Sequence, residues 1–256
     1  MIFGTPNCTT IPPSTPSDAG IAGAGVLLSS TITAALALSL SGSLIFQRHF
    51  SSSASSPTAS PSSSTIRRKL LSGYSDQQII VGIGIQSVGL AKAHTLVAYH
   101  FFIIWMLSLL AMATHNATLL TFVRDSVQRD RVLRWMRQGL MGINLVLSCV
   151  YGGVLLRVKE VGLARTAPVG CVLFAGQTDA VTVMGESSVG GMDYVGTVVT
   201  IVGNVVVFAA GSWYLQMGKM GAKGGCRVVQ LVGLVVMFGV AVGEFFFFPY
   251  FLSLLL

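Results

Sequence analysis

Charged side chains are scarce in this sequence, at 10% of 256 residues, while hydrophobic residues make up 52%. A soluble domain carries about 25% charged residues, so this chain has too few charges to cover a surface in water. The mean hydropathy of +0.74 agrees with this conclusion. The composition excludes an ordinary soluble domain and predicts an integral membrane protein.

Cysteines, basic N-terminal residues and catalytic motifs are also scarce or missing. Four scattered cysteines are too few for a metal site or a disulfide framework. Residues 1–19 contain no Lys or Arg, and the apolar stretch that follows is too long for a signal peptide. The sequence contains no HExxH motif, Gly-rich phosphate loop or GxSxG motif. We therefore predict no catalytic residues, metal, cofactor or enzymatic activity.

The formal net charge of +7 comes from basic residues in short clusters between apolar runs. Nucleic-acid binding proteins instead collect basic residues in one patch with interleaved aromatic residues. This distribution excludes nucleic acid as a partner and indicates membrane orientation signals.

Six segments are long and apolar enough to cross a hydrocarbon core of ~30 Å. They cover residues 21–46, 77–93, 99–123, 136–156, 194–217 and 228–248. The sequence thus predicts an all-α fold, a polytopic transmembrane helical bundle of about six spans within residues 21–256, preceded by a short tail at 1–20.

The distribution of Lys and Arg predicts the orientation of this bundle. Twelve of the 16 basic residues fall on one side of the predicted spans and four on the other. Because positive loops stay in the cytosol, the tail 1–20 and the loop 157–193 are predicted to be extracytoplasmic. The expected location is the plasma membrane or the endomembrane system.

A Ser-rich, low-complexity linker at 51–64 joins the first two spans and is predicted to be disordered and cytosolic. A helix start is predicted shortly after it. Ser75 and Gln78 match a capping box, while Tyr74 and Ile79 match a hydrophobic staple.

Three stretches of the chain resemble the sequences of a known group of proteins. They are LSGYSDQQIIVGIGIQSVGLAK, YHFFIIWMLSLLAMATHNATLL and RDRVLRWMRQGLMGINLVLSCVYG, within residues 71–152. This third of the chain resembles a group of multi-pass integral membrane proteins of filamentous fungi that has no assigned activity. The resemblance implies a helical membrane fold and membrane residence.

The third span carries polar residues on one side. At 100° per residue the following lie within one arc of about 140°, which we call the polar arc: His100, Ser108, Thr114, His115, Thr118 and Thr121. Asn116 interrupts the otherwise apolar remainder. Polar groups that face lipid without partners cost several kcal/mol, so the polar arc faces protein or water. Hydrogen bonds between helices and a ligand site both fit this pattern.

Polar and small residues share one face in other spans as well. These faces contain Gln78, Gly82, Gln86 and Gly89 in span two, Asn144, Ser148 and Tyr151 in span four, Thr197, Thr200, Asn204 and Gly211 in span five, and Gly239 and Gly243 in span six. Such faces are typical of helix contacts in membranes.

Four polar residues fall near the middle of their spans, namely Gln86, Ser108, Asn144 and Asn204. If all four point inward, they form a polar layer, with His115 about two turns from Ser108 towards the cytosol. In one interpretation these groups bond one another. In the other they line a ligand pocket, which His115 makes pH-sensitive because the reference pKa of histidine is near 6.5.

A basic segment at 124–137 lies before span four. It contains Arg124, Arg129, Arg131, Arg134 and Arg137. The segment either binds anionic lipid headgroups or is an orientation signal that extends span four.

Two modifications are predicted on the extracytoplasmic side. Cys8 and Cys171 are the two cysteines placed there, where disulfides persist. Asn7 begins an Asn-Cys-Thr glycosylation sequon. The overall prediction is a non-enzymatic multi-pass protein that is receptor-like or scaffold-like, with a small-solute transporter or channel as the alternative.

Overall fold

The computed structural model describes residues 23–50, 61–122, 131–161, 166–173, 191–217 and 239. This part of the chain forms helices and no strands, which confirms the all-α prediction for these residues. The helices are α1 (Ala24–Phe50), α2 (Pro61–Ala91), α3 (Ala98–Phe122), α4 (Arg131–Val161), the four-residue α5 (Gly170–Leu173) and α6 (Gly191–Met217).

Four helices in the described ranges are long and apolar enough to cross a membrane. The qualifying stretches are Gly25–Gln47 in α1, Ala98–Leu119 in α3, Trp135–Val161 in α4 and Val195–Trp213 in α6. The predicted span 77–93 lies mostly in α2, which is not among these four. The predicted span 228–248 lies outside the described residues, apart from residue 239.

The start of α2 differs from the prediction. The signals at Ser75 and Gln78 placed a helix start there, but α2 begins at Pro61, and that prediction is wrong. Proline is favoured in the first helical turn, where its missing N–H needs no partner. The last four residues of the predicted linker 51–64 are therefore helical, while residues 51–60 lie outside the described residues.

α3 is the central helix of the bundle. It packs against α1, α2, α4 and α6. Its apolar stretch is 89% buried, against 28% in α1, 33% in α4 and 17% in α6. Both sides of α3 are enclosed, because Leu109 and Ala113, which lie opposite the polar arc at 100° per residue, are also buried.

The segment 166–173 forms a cap over the end of the bundle where α2 turns into α3. Val169 N donates to Leu96 O at 2.9 Å, and Ala98 N donates to Ala167 O at 3.0 Å. Val169 is fully buried in the same apolar cluster as Phe101. Within the predicted loop 157–193, the first residues extend α4 to Val161, and residues 166–173 form this cap.

Large apolar side chains remain exposed on the outward faces of three helices. They include Leu28, Ile32 and Leu36 on α1, Ile143, Val146 and Val150 on α4, and Val195, Val199, Val202 and Val206 on α6. Extended apolar surface of this kind is rare on soluble monomers.

Candidate functional site

The polar arc of α3 points into protein along its whole length. All six of its side chains are buried. Three of them bond their own helix: Thr114 Oγ1 donates to Leu110 O, Thr118 Oγ1 to Thr114 O and Thr121 Oγ1 to Ala117 O, at 2.7–3.1 Å. Such bonds to the preceding turn satisfy a hydroxyl inside a helix without a second helix.

The Gln86–Asn144 pair is a close polar contact inside the bundle, and it joins α2 to α4. Gln86 Nε2 donates to Asn144 Oδ1 at 2.6 Å and to Gly82 O at 3.1 Å. Asn144 Nδ2 contacts Met112 Sδ of α3 at 3.2 Å. Both amides are completely buried, so the pair links three helices inside the bundle.

Tyr151 of α4 closes over this pair from the cap side. Its hydroxyl donates to Gln86 O at 2.9 Å, and its ring stacks on Phe101 with centroids 4.2 Å apart. A Cβ atom on Gly89 would overlap Tyr151 Oη and approach Ile104 Cδ1 at 2.6 Å. The small residue at 89 therefore lets α2 and α4 approach closely enough for the Tyr151 hydrogen bond.

Asn204 belongs to a second polar contact, between α3 and α6. Asn116 Nδ2 donates to Asn204 Oδ1 at 3.5 Å, and Asn204 Nδ2 donates to Thr200 O at 3.0 Å. Asn116 lies eight residues beyond Ser108, or ~12 Å along the helix axis. The structure thus buries all four residues predicted at one level, but it brings only Gln86 and Asn144 together.

His115 faces α2 towards the other end of the bundle. Its Nδ1 lies 3.3 Å from Ser75 Oγ, and the ring is completely buried. Its Nε2 has no hydrogen-bond partner among the described residues. Ser75, predicted to cap α2, is instead a buried contact in the interior of that helix.

A polar contact missed by the sequence analysis joins α1 to α3. Ser41 Oγ donates to Ala117 O at 2.9 Å and also bonds Thr121 Oγ1. Gln78 Nε2 similarly donates to Ser30 O of α1 at 3.2 Å. The sequence signal for these contacts was the presence of Ser30 and Ser41 inside an apolar span.

Arg137 of the basic segment is engaged within the protein. It forms an ion pair with Asp76 and donates to Ser72 Oγ at 2.8 Å, and both partners belong to α2. This arginine joins α4 to α2. Arg131 also lies in α4, as does Arg134, whereas Arg124 and Arg129 lie outside the described residues.

The two predicted modifications fall mostly outside the described residues. Cys171, in the cap, is disulfide-bonded, and Cys149 is free. Cys8 and Asn7 are not described, so the Cys8–Cys171 pairing and the glycosylation stay predictions. No group of three or more His, Cys, Asp or Glu side chains that could hold a metal ion occurs among the described residues.

Comparison with protein-family models, curated proteins and solved structures finds no match to this chain. The resemblance to fungal multi-pass proteins therefore stays a prediction.

Proposed function

We propose that this protein is a non-enzymatic, multi-pass integral membrane protein, receptor-like or scaffold-like, in the plasma or endomembrane system of a fungal cell. We further propose six spans, with the N-terminus extracytoplasmic. One observation carries the proposal: α3 is enclosed by four helices and bonded to each of them through side chains. These contacts are made by Ser41 of α1, Ser75 of α2, Asn144 of α4 and Asn204 of α6.

The polarity of the bundle supports a membrane location. Polar side chains such as Gln86 and Asn144 are fully buried, while Val199 and Val206 are about 60% exposed, at 62% and 59%. In water the opposite arrangement is favoured, because burying apolar area drives folding. In a bilayer the outward valines meet lipid, and the amides find partners inside the protein.

Continuous helices and contacts at both ends support a fixed bundle rather than a transporter. Transporters commonly bind solutes at helices that are broken near the membrane centre. Within the described residues α1, α2, α3, α4 and α6 are each unbroken. Ser41–Thr121 closes one end of the bundle, and the cap closes the other.

The proposed topology predicts different protease access for two inserted tags. A tag within 51–64 should be protected in intact cells, whereas a tag within 174–190 should be cleaved. The reason is that basic loops stay in the cytosol, which places 51–64 inside the cell and 174–190 outside it in the proposed topology. Western blotting before and after permeabilisation measures both, and cleavage of the first tag from outside would contradict the topology.

Cross-linking tests whether the bundle is fixed. The inner pair is Ser41→Cys with Thr121→Cys, and the outer pair is Ala98→Cys with Ala167→Cys, in a chain carrying Cys149→Ser and Cys226→Ser. In a fixed bundle the two cysteines of each pair stay in contact, and both pairs are in contact at the same time. The yield of the inner cross-link, measured by mass spectrometry in nanodiscs, should therefore be the same before and after the outer pair is joined.

Alternating access predicts that joining the outer pair lowers the yield of the inner cross-link. The reason is that a transporter held closed on its outer side spends more time open on its inner side. A clear fall in inner cross-linking after the outer pair is joined would therefore favour the transporter alternative. The chain with only the inner pair is the matched control for any general effect of oxidation.

A further inference from the structure

Cys171 of the cap is disulfide-bonded, and its partner is one of two cysteines. The chain contains four cysteines, and Cys149 is free. The partner is therefore Cys8 or Cys226, both of which lie outside the described residues. The position of Cys171 and the directions of α1 and α6 distinguish these two candidates.

Cys171 lies at the cap end of the bundle and is 2% exposed. Its neighbour Gly170 packs on the turn between α2 and α3, where a Cβ atom would lie 2.6 Å from His94 O. The backbone N–H of Ala98, the first residue of α3, donates to Ala167 O of the same segment. A partner of Cys171 must therefore reach the level at which α3 begins.

α6 runs away from the cap end. Ile201 of α6 and Trp105 of α3 lie at one level, because a Cβ atom on Gly152 would approach both of them. Ten residues later in α6, a Cβ atom on Gly211 would lie 4.0 Å from Leu119 Cβ of α3. Since Leu119 is farther from the cap than Trp105, α6 and α3 run in the same direction.

The end of α6 lies far from the cap. Leu119 is 21 residues beyond Ala98, the first residue of α3. Gly211 is at the level of Leu119, and Met217 ends α6 six residues later. At 1.5 Å per residue, these lengths place the end of α6 ~40 Å from the level of Cys171.

Cys226 does not cover this distance. It follows Met217 by nine residues, which span ~14 Å as a helix and at most ~32 Å when fully extended. A disulfide adds ~6 Å between its two Cα atoms, so even the extended chain falls short. An extended chain would also expose unsatisfied backbone groups to lipid.

α1 begins on the cap side of the bundle. Ser41 bonds Thr121 at the end of α3 that is far from the cap. Eleven residues earlier in α1, Ser30 O accepts a hydrogen bond from Gln78, which lies in the middle of α2. The residues of α1 before Ser30 therefore continue towards the cap.

Cys8 has enough chain to reach the cap. Gln78, which meets Ser30, lies 13 residues before the end of α2, or ~20 Å from the cap end. α1 begins at Ala24, six residues nearer the cap than Ser30. Cys8 precedes Ala24 by sixteen residues, which span up to ~50 Å when extended. This segment reaches Cys171 without crossing the bundle.

We infer that Cys8 is the partner of Cys171, so that a disulfide fastens the N-terminal tail to the cap. The bond forms by thiol–disulfide exchange. The two cysteine thiols are oxidised to the disulfide, and a disulfide oxidant of the compartment takes up the two electrons and two protons as it is reduced to two thiols. The inference goes beyond the proposed receptor-like or scaffold-like role, because it concerns the covalent structure of the chain.

The number of reactive thiols tests this pairing. The full chain is isolated from membranes without reductant, denatured in detergent and labelled with a polyethylene glycol maleimide, which shifts its gel mobility once per free thiol. The unmodified chain should take two labels, and four after reduction. Cys8→Ser should take three labels, because Cys171 loses its partner, and Cys226→Ser should take one.

The alternative pairing of Cys171 with Cys226 exchanges these results. Cys8→Ser would then take one label and Cys226→Ser three, and this outcome overturns the inference. Four labels on the unmodified chain without reduction would show that no bond forms and would overturn it as well. Cys149→Ser is the matched control, since it should take one label under either pairing.

Mass spectrometry of the unmodified chain identifies the pair without any variant. After digestion without reduction, the peptide that contains Cys8 should be joined to the peptide that contains Cys171, and reduction should separate them. This measurement decides the pairing if Cys8→Ser misfolds, and any other partner of Cys171 overturns the inference. Neither readout depends on which side of the membrane the cap faces, so failure of the pairing and failure of the proposed topology are distinguishable.

Discussion

Gly170→Ala should release the cap from the end of the bundle and destabilise the protein by about 2–3 kcal/mol, the upper part of the range for overpacking. A Cβ atom at this position would lie 2.6 Å from His94 O, 2.8 Å from His94 Cα and 3.0 Å from His94 C. These are backbone atoms, so no side-chain rotation relieves the overlap. The bonds from Val169 N to Leu96 O and from Ala98 N to Ala167 O should be lost with the displacement.

Hydrogen exchange of the backbone amides of Ala98 and Val169 measures this release directly. Both amides should be protected in the unmodified chain and should exchange quickly in Gly170→Ala. Gly196→Ala is the matched control, because a Cβ atom there meets nothing within 4 Å. Equal protection in both variants would show that the cap does not depend on the close approach at Gly170.

Gly89→Ala should separate α2 from α4 near the Gln86–Asn144 pair. The added methyl group overlaps Tyr151 Oη and approaches Ile104 Cδ1 at 2.6 Å. Tyr151 must rotate away from Gln86 O, which costs the buried hydrogen bond and disturbs the stacking on Phe101. Overpacking costs about 1–3 kcal/mol and an unsatisfied buried group about 1–3 kcal/mol. We therefore expect a loss of about 2–4 kcal/mol in the free energy of unfolding.

Gly84→Ala is the matched control, since it makes the same change on α2 where a Cβ atom meets nothing within 4 Å. Alanine is a better helix former than glycine, so this control should be neutral or slightly stabilising. Unfolding by denaturant in mixed micelles compares the two variants. An equal loss of unfolding free energy in both variants would mean that the overlap with Tyr151 does not affect stability. Tyr151→Phe combined with Gly89→Ala should recover part of the loss, because the overlapping hydroxyl is removed.

Helical periodicity in the sequence predicted which side of several helices faces inward. Gln78, Gly82, Gln86 and Gly89 share one face of α2 by spacing alone, and all four are buried. Asn144, Ser148 and Tyr151 on α4 are likewise buried. This success has a simple reason: side chains three, four or seven residues apart lie on the same side of any α-helix. No knowledge of the neighbouring helix is required.

The start of α2 shows where local sequence signals mislead. Ser75, Gln78, Tyr74 and Ile79 have the spacing of a helix cap, but the same residue types also form interhelical contacts. Ser75 bonds His115 and Gln78 bonds Ser30 O instead. A serine hydroxyl suits either role, so the choice depends on whether another helix lies beside it.

The sequence by itself determined the helical class, four apolar helices of membrane-spanning length and the inward direction of polar residues on several helices. These properties follow from composition and from the 3.6-residue repeat. Only the tertiary structure decided that α3 is the enclosed helix and that Asn116 bonds Asn204. It alone also decided that Arg137 pairs with Asp76. These partnerships depend on the order, tilt and relative shift of whole helices, which packing between helices sets and spacing along one helix does not encode.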